Sequence, residues 1–324
     1  MEEKFKVTVI GTVVRDTIYP YKGEPIQGWG GIYYTLSHLS GILRDEAVIE
    51  PVFYLGYDAY DAFLQLLREK FPNVRLDGIK KIDQKNNQVI LRYVTQEYRE
   101  ETSNYIPPPL PFDLIQPFVR NEVILLNFIS GYEVTLETCR RISEEKTGYF
   151  YVDFHSLAFG RNEDGTRFYQ RPKNWQDWVR FPDILQMNEK EAETLAARPL
   201  VNLEDFKNFA GELVQTSRNI VNMTLGSRGS VLAFLQHGKP EVHYFKPLRV
   251  NKVVDATGCG DSFATGFISH YLKTKDPIAS AMYGNVTGGL NCTFPSTSKV
   301  DRIHLQIEKA IESYRKDDIF EVED

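Results

Sequence analysis

The sequence predicts an α/β fold in which a mostly parallel sheet is covered by helices, and two observations carry that expectation. Short apolar runs of strand length alternate with longer stretches of helical periodicity along most of the chain. In addition, Gly258-Cys259-Gly260 stands where a strand-like run closed by Val253 and Val254 gives way to Phe263, Gly266, Phe267, His270 and Tyr271 at helical spacing. A chain of 324 residues, 42% of them hydrophobic, can bury the core of one large domain with an excursion.

The elements follow in order. A first strand falls near 5–11, a helix near 32–43, a strand near 48–55 and a helix near 58–71. Between roughly 74 and 109 helical periodicity lapses; 88–94 reads as β, and the stretch ends in Pro107-Pro108-Pro109. Alternation resumes with a strand at 123–128, a helix near 134–146 and a strand at 149–153. Residues 162–165 and 171–175 read as an exposed loop and a helix start. A buried strand at 183–187 runs into Asn188-Glu189-Lys190-Glu191, followed by a helix near 203–216 and a strand at 219–224. Helices near 276–291 and 301–315 complete the chain, the last one amphipathic. No repeat or low-complexity linker divides it, so one domain over 1–324 is expected.

The 258–260 turn is where chemistry is expected. Unpaired N–H groups at a helix start face outward at the positive end of the helix dipole and can hold the charge of a phosphoryl group in flight. Asp261, in the first turn, is placed to take a proton from an attacking hydroxyl. Elsewhere the sequence excludes more than it offers. A net charge of −6 without a basic run among aromatics argues against nucleic acid. Neither a secretory stretch nor the roughly 20 apolar residues of a membrane span is present, so a cytoplasmic protein is expected. Cys139, Cys259 and Cys292 suggest neither a disulfide framework nor a zinc site, and six scattered histidines form no His-Glu-x-x-His pattern. Neither a dinucleotide fingerprint behind the first strand nor a P-loop occurs.

The segment from Asp255 to Asp261 resembles the Asp-Thr-x-Gly-Ala-Gly-Asp signature of the ribokinase-like (PfkB) family of sugar and nucleoside kinases, and other marks of that family stand in the same order along nearly the whole chain. Asp16 follows Gly11 by five residues, as in the family's opening Gly-x-x-x-x-Asp, and the resemblance implies that it binds substrate hydroxyls. Gly30 and Gly31 match a Gly-Gly-x-x-x-Asn loop that approaches the sugar; Thr35 stands in place of the Asn, which alters the substrate contacts rather than the reaction. Asn188 and Glu191 match an Asn-x-x-Glu that arranges Mg²⁺ and the nucleotide phosphates, largely through water. Thr224, Gly226 and Gly229 match a Thr-x-Gly-x-x-Gly that turns past the nucleotide, and Asn285 falls where the adenine pocket is built. At 153–157 the family's Asp-x-Asn-x-Arg is broken by His155 and Leu157.

The resemblance implies a three-layer sandwich with a small β-strand lid, formed by segments near 12–28 and 75–108, that excludes water and in some members serves as a homodimer contact. It implies ATP and Mg²⁺ as cofactors, and a monovalent cation such as K⁺ held by carbonyls near Asp255 and Thr257 and in a later loop. The expected function is ATP-dependent phosphorylation of a small sugar or sugar derivative, with Asp261 as general base and the amides of Gly258, Cys259 and Gly260 as anion hole. A nucleoside or inositol kinase of the same family, or a non-catalytic ligand sensor on the same fold, are the alternatives. Cys259, at a helix N-terminus where thiol pKa values fall, is a candidate reactive residue.

Overall fold

The computed structural model describes residues 4–94, 99–217, 219–295 and 300–321. Its strands are β1 (Phe5–Ile10), β2 (Val13–Tyr19), β3 (Ile26–Gly31), β4 (Ala47–Gly56), β5 (Ile79–Ile82), β6 (Gln88–Tyr93), β7 (Arg99–Ser103), β8 (Val123–Asn127), β9 (Tyr149–Asp153), β10 (Phe159–Arg161), β11 (Arg167–Tyr169), β12 (Ile184–Asn188), β13 (Ile220–Thr224), β14 (Ser230–Gln236) and β15 (Lys239–Phe245). Among the described residues nine of them form one sheet in the order β15-β14-β13-β12-β9-β8-β1-β4-β5. Every pair of neighbours from β13 to β5 is parallel, and only the β13–β14 and β14–β15 pairs at one edge are antiparallel.

The helices are α1 (Ile32–Leu43), α2 (Tyr60–Lys70), α3 (Phe112–Ile115), α4 (Leu136–Glu145), α5 (Trp175–Arg180), α6 (Glu189–Ala196), α7 (Leu203–Ser217), α8 (Cys259–Thr274), α9 (Pro277–Asn291) and α10 (Ile307–Lys316). They cover both faces of the large sheet, and the strands show why. In β8, Ile124 and Leu126 pack with Phe206 of α7 and Ile142 of α4, whereas Val123 and Leu125 pack with Leu36 of α1 and Phe267 of α8. Alternate residues serve opposite cores, so a strand covered on both sides has no polar positions and reads as a continuous apolar run. A third cluster, around Leu290 of α9 and Ile311 of α10, seals the far side of the α8–α9 pair. No helix among the described residues is long and apolar enough to cross a membrane.

A second sheet, of order β3-β2-β6-β7, stands apart from the large one and draws its strands from the two segments expected to form the lid. Ile79–Ile82, inside the second of those segments, pairs instead with β4 at the edge of the large sheet. Two hairpins are absent from the sequence reading. One is β10–β11; the other is β14–β15, turned by His237 and Gly238 with φ of 51° and 78°. The run ahead of the Gly258 turn is not a strand: Val253 and Val254 are exposed, and the Val254 and Asp255 N–H groups donate to Cys292 O at the end of α9 (2.7 and 3.1 Å). The chain there follows a helix end because β15 already occupies the sheet edge. Near the C-terminus the expected helix at 301–315 divides into a 3₁₀ segment, Val300–Leu305, and α10.

Candidate active site

In the large sheet the chain adds β4 and β5 on one side of β1, then β8, β9, β12 and β13 on the other. Such a reversal opens a crevice beyond the carboxyl ends of the strands. Asn127, Asp153, Asn188 and Thr224 are the last residues of β8, β9, β12 and β13, and all four line one cavity of about 420 Å³. Asp16 and Gly31 of the small sheet close it from above, and Gly258, Gly260 and Asp261 enter it at the start of α8.

Asp261 is held through one oxygen. Its Oδ1 accepts from Thr35 Oγ1 at 2.6 Å and from Asn127 Nδ2 at 2.8 Å. Burial pushes its carboxyl above the ordinary value, against the opposing pull of the Thr35 hydrogen bond, the nearby His155 and the Asn127 amide. Asp153 lies close by and is pushed well above the carboxylate range, by burial first and then by the charges of Glu191 and Asp261, with His155 pulling it back. The floor of the cavity is therefore crowded with carboxyl oxygens.

The turn ahead of α8 depends on Gly258, which is left-handed (φ 79°); a Cβ there would stand 3.3 Å from the Tyr34 ring. No side chain caps the helix start. Of the three amides expected to form the anion hole, the Cys259 N–H is turned to Ala256 O at 3.3 Å. The turn is tied from behind. Asn291 Nδ2 donates to Thr257 O (2.8 Å), Gln186 Nε2 donates to Gly260 O (3.0 Å), and the Ser262 and Thr287 hydroxyls each donate to the other residue's carbonyl at 2.9 Å. Cys259 departs from expectation: burial of the sulfur outweighs the helix N-terminus and pushes the thiol up to about 12.

A second cavity of about 630 Å³ adjoins the first and shares Asn188, Thr224, Ala256 and Gly260 with it. Gly226 and Gly229 lie on its rim with φ of 56° and 88°. Space beside Gly226 is open, whereas a Cβ on Gly229 would meet Phe245 O at 2.0 Å. Asn285 also lines it, but its carboxamide already serves the fold: Oδ1 accepts from Ser230 Oγ (3.0 Å) and Nδ2 donates to Lys246 O (2.7 Å). Arg228 pairs with Glu189.

Asn188 and Glu191 form a capping box at the start of α6. Asn188 Oδ1 accepts from the Lys190 and Glu191 N–H groups, and Glu191 Oε2 accepts from the Asn188 N–H at 2.7 Å. Both nevertheless line the first cavity, and Glu191 Oε1 faces His155 Nδ1 at 3.2 Å. Among the described residues no group of three or more His, Cys, Asp or Glu forms a metal cage. A hydrated Mg²⁺ fits this set better than a stripped ion would, because it keeps its waters and relieves the mutual repulsion of the carboxyls. For the monovalent cation, Asp255 Oδ1 accepts from the Thr257 N–H (2.8 Å) and Thr257 O is the acceptor of Asn291; residues 296–299 of the later loop lie outside the described residues.

Of the acceptor-side residues, Asp16 is buried on β2 and faces the cavity; a Cβ on Gly30 would fall 1.9 Å from its Oδ2, so that glycine makes room for the carboxylate. Thr35 does not line the cavity. It is fully buried beneath Asp261. Sequence reasoning missed Asn127 and Gln186 altogether and assigned no role at Asp153 and His155. The one available signal was position, since Asn127 and Asp153 close runs of strand length, where crevice residues collect.

Residues 164–302 match the model of the pfkB family carbohydrate kinase. A segment of 109 residues is 31% identical to the ribokinase of Staphylococcus aureus and covers 33% of this chain; the chain thus spans about a third, 34%, of that relative's length. Among solved structures, the ribokinase of Giardia lamblia is similar at a TM-score of 0.74 and 17% identity over 96% of this chain and 100% of that one. A pyrophosphate-dependent kinase in the ribokinase family, complexed with a pyrophosphate analog and myo-inositol, is similar at a TM-score of 0.72 and 16% identity over 92% of this chain and 99% of that one.

Proposed function

We propose, from the match of residues 164–302 to the pfkB family carbohydrate kinase and from the ribokinase fold, that the chain is a ribokinase-like kinase of that family and transfers the terminal phosphoryl group of ATP to a hydroxyl of a small neutral polyol, a sugar or sugar derivative. The observation that carries this reading is the position of the α8 start between two cavities: Asp261 lines one, Cys259 the other, and Gly260 both. The acceptor occupies the cavity closed by the small sheet, which acts as a lid. Asp261 takes the proton of its hydroxyl, the oxygen attacks the γ-phosphorus, and the bond to the β-phosphate oxygen breaks to release ADP. First-turn amides at Gly258 and Gly260 stabilise the charge on the transferring group. Asn188 and Glu191 would hold a hydrated Mg²⁺, which would neutralise the donor phosphates.

Charge supports a neutral acceptor. Among the described residues the acceptor cavity is lined by Asp16, Asp153, Glu191 and Asp261 and by no Lys or Arg, which disfavours sugar acids and sugar phosphates. The donor side supports a nucleotide. Leu248, Val250, Val253 and Phe263 give the second cavity apolar walls that suit a base and that pyrophosphate would leave unused.

A second reading, a cyclitol or nucleoside acceptor, is favoured by one feature: Val89, Leu91, Tyr93 and Ile129 present an apolar wall to the acceptor. ADP release from Mg-ATP, measured across pentoses, hexoses, sugar acids, cyclitols and nucleosides with pyrophosphate as a parallel donor, tests both readings. Turnover with a neutral polyol and ATP is expected. Turnover only with acids or only with pyrophosphate would overturn the acceptor or the donor assignment, and silence with every pair would leave a ligand sensor as the better account.

A further inference from the structure

We propose that Thr35 and Asn127 are positioning residues that clamp Oδ1 of Asp261 and so make Oδ2 the atom that receives the acceptor's proton. The inference rests on the phosphotransfer reading above. Thr35 comes from the first turn of α1 and Asn127 from the end of β8, so the two donors approach one oxygen from separate elements of the core. At 2.6 and 2.8 Å both bonds are short, as expected for donors to an ionised carboxylate.

The orientation of the Asn127 carboxamide follows from its partner. An ionised carboxylate only accepts, so the group facing it must be the NH₂ end. The carbonyl end then lies buried, with no donor to it among the described residues. A half-satisfied buried amide weakens a fold, so this arrangement does not serve stability. It serves Asp261, whose Oδ1 is saturated by two donors.

This gives Thr35 a different role from a sugar ligand. A hydroxyl is one donor on a short stem, and here it is spent on the base, with the side chain fully buried. Acceptor recognition is left to Asp16 and the remaining cavity wall.

The test uses Thr35→Val and Asn127→Leu, each close in size to the original residue, with Thr35→Ser as the variant that restores a hydroxyl. Turnover is expected to fall roughly 10- to 100-fold in Thr35→Val and in Asn127→Leu, with the acceptor KM moving much less, and Thr35→Ser should recover most of the loss. The acid limb of kcat should move to higher pH in both apolar variants, because each removes a donor that favours the ionised carboxylate. The other titratable groups facing Asp261 are Asp153 at the end of β9, His155 just after it and Cys259 in its own helical turn; the substitutions leave all three in place, so the displacement isolates the lost donor.

A loss confined to KM, or an unmoved acid limb, would overturn the clamp while leaving the kinase reading intact. If wild type turns over no acceptor, the kinase reading fails instead. The clamp is then judged by carboxyl-carbon NMR titration of Asp261, assigned from its disappearance in Asp261→Asn: an upward shift in Thr35→Val supports it, and an unchanged titration overturns it.

Discussion

The two cavities that meet at the start of α8 are built by different means. The donor cavity takes much of its outline from backbone: Gly226 and Gly229 take left-handed conformations, and Gly288 and Gly289 of α9 line its wall. Of the polar side chains beside that backbone, which include Asn188, Lys190 and Arg249, Asn285 is used to tie β14 and the segment after β15 to α9. The acceptor cavity is shaped by side chains delivered from the ends of separate strands and from a second sheet. A donor common to many reactions can be held by main-chain groups, whereas an acceptor must be distinguished by side chains.

That contrast breaks most directly at Asp261. Asp261→Asn should lower kcat by about 10² to 10⁴-fold while nucleotide affinity, read by calorimetry, stays close to wild type. Stability should move the other way. The folded carboxyl titrates above its ordinary value, so the unfolded chain loses its proton first as pH rises; stability declines through that interval, and the penalty is complete once the folded carboxyl has ionised. The variant, which has no such charge to bury, should melt no lower than wild type at pH 7. Equal turnover in the variant removes the distinction between the cavities.

Much of this was legible beforehand, for a local reason. Glycines and a carboxylate within a few residues of one another mark a turn into a helix, and Gly258, Gly260 and Asp261 were readable on that basis alone. Asn127 was not, because it ends an apolar run and acquires its meaning from Asp261, which lies 134 residues away in sequence. Thr35 was noticed but its hydrogen bond to Asp261 was not foreseen, since a hydroxyl's capacity to donate does not say to what. The parallel core followed from alternation. The β14–β15 hairpin escaped although His237-Gly238 between two apolar stretches is a turn signal, and exposed Val253 and Val254 imitated a strand.

The backbone side of the contrast is sharpened by a pair of alanines. Gly229→Ala should destabilise by roughly 2 kcal/mol or more, because left-handed strain is joined by a collision with Phe245 O; Gly226→Ala, with open space beside it, should cost about 1 kcal/mol from conformation alone. Thermal melts separate the two, and equal shifts would mean that close packing does not set the shape of the donor rim. The smallest effect is expected at Cys259. With its thiol held near 12, alkylation at pH 8 should run ~10³-fold slower than for an ordinary surface cysteine, and Cys259→Ala should leave turnover near wild type. Rapid labelling that tracks inactivation would contradict the buried thiol.

The capping box of Asn188 and Glu191 bears on how living and silent copies of this fold are told apart. Because the pair closes the first turn of α6 with four hydrogen bonds, a descendant that had ceased to transfer phosphate would still be selected to keep both residues for folding alone. Asp261 and Asn127 carry the opposite pressure, one a buried charge and the other a half-satisfied amide. Once chemistry no longer required them, drift would erase them first. On the proposed phosphotransfer, the diagnostic mark of an active lineage would therefore be this costly pair, and not the more recognisable Asn-x-x-Glu.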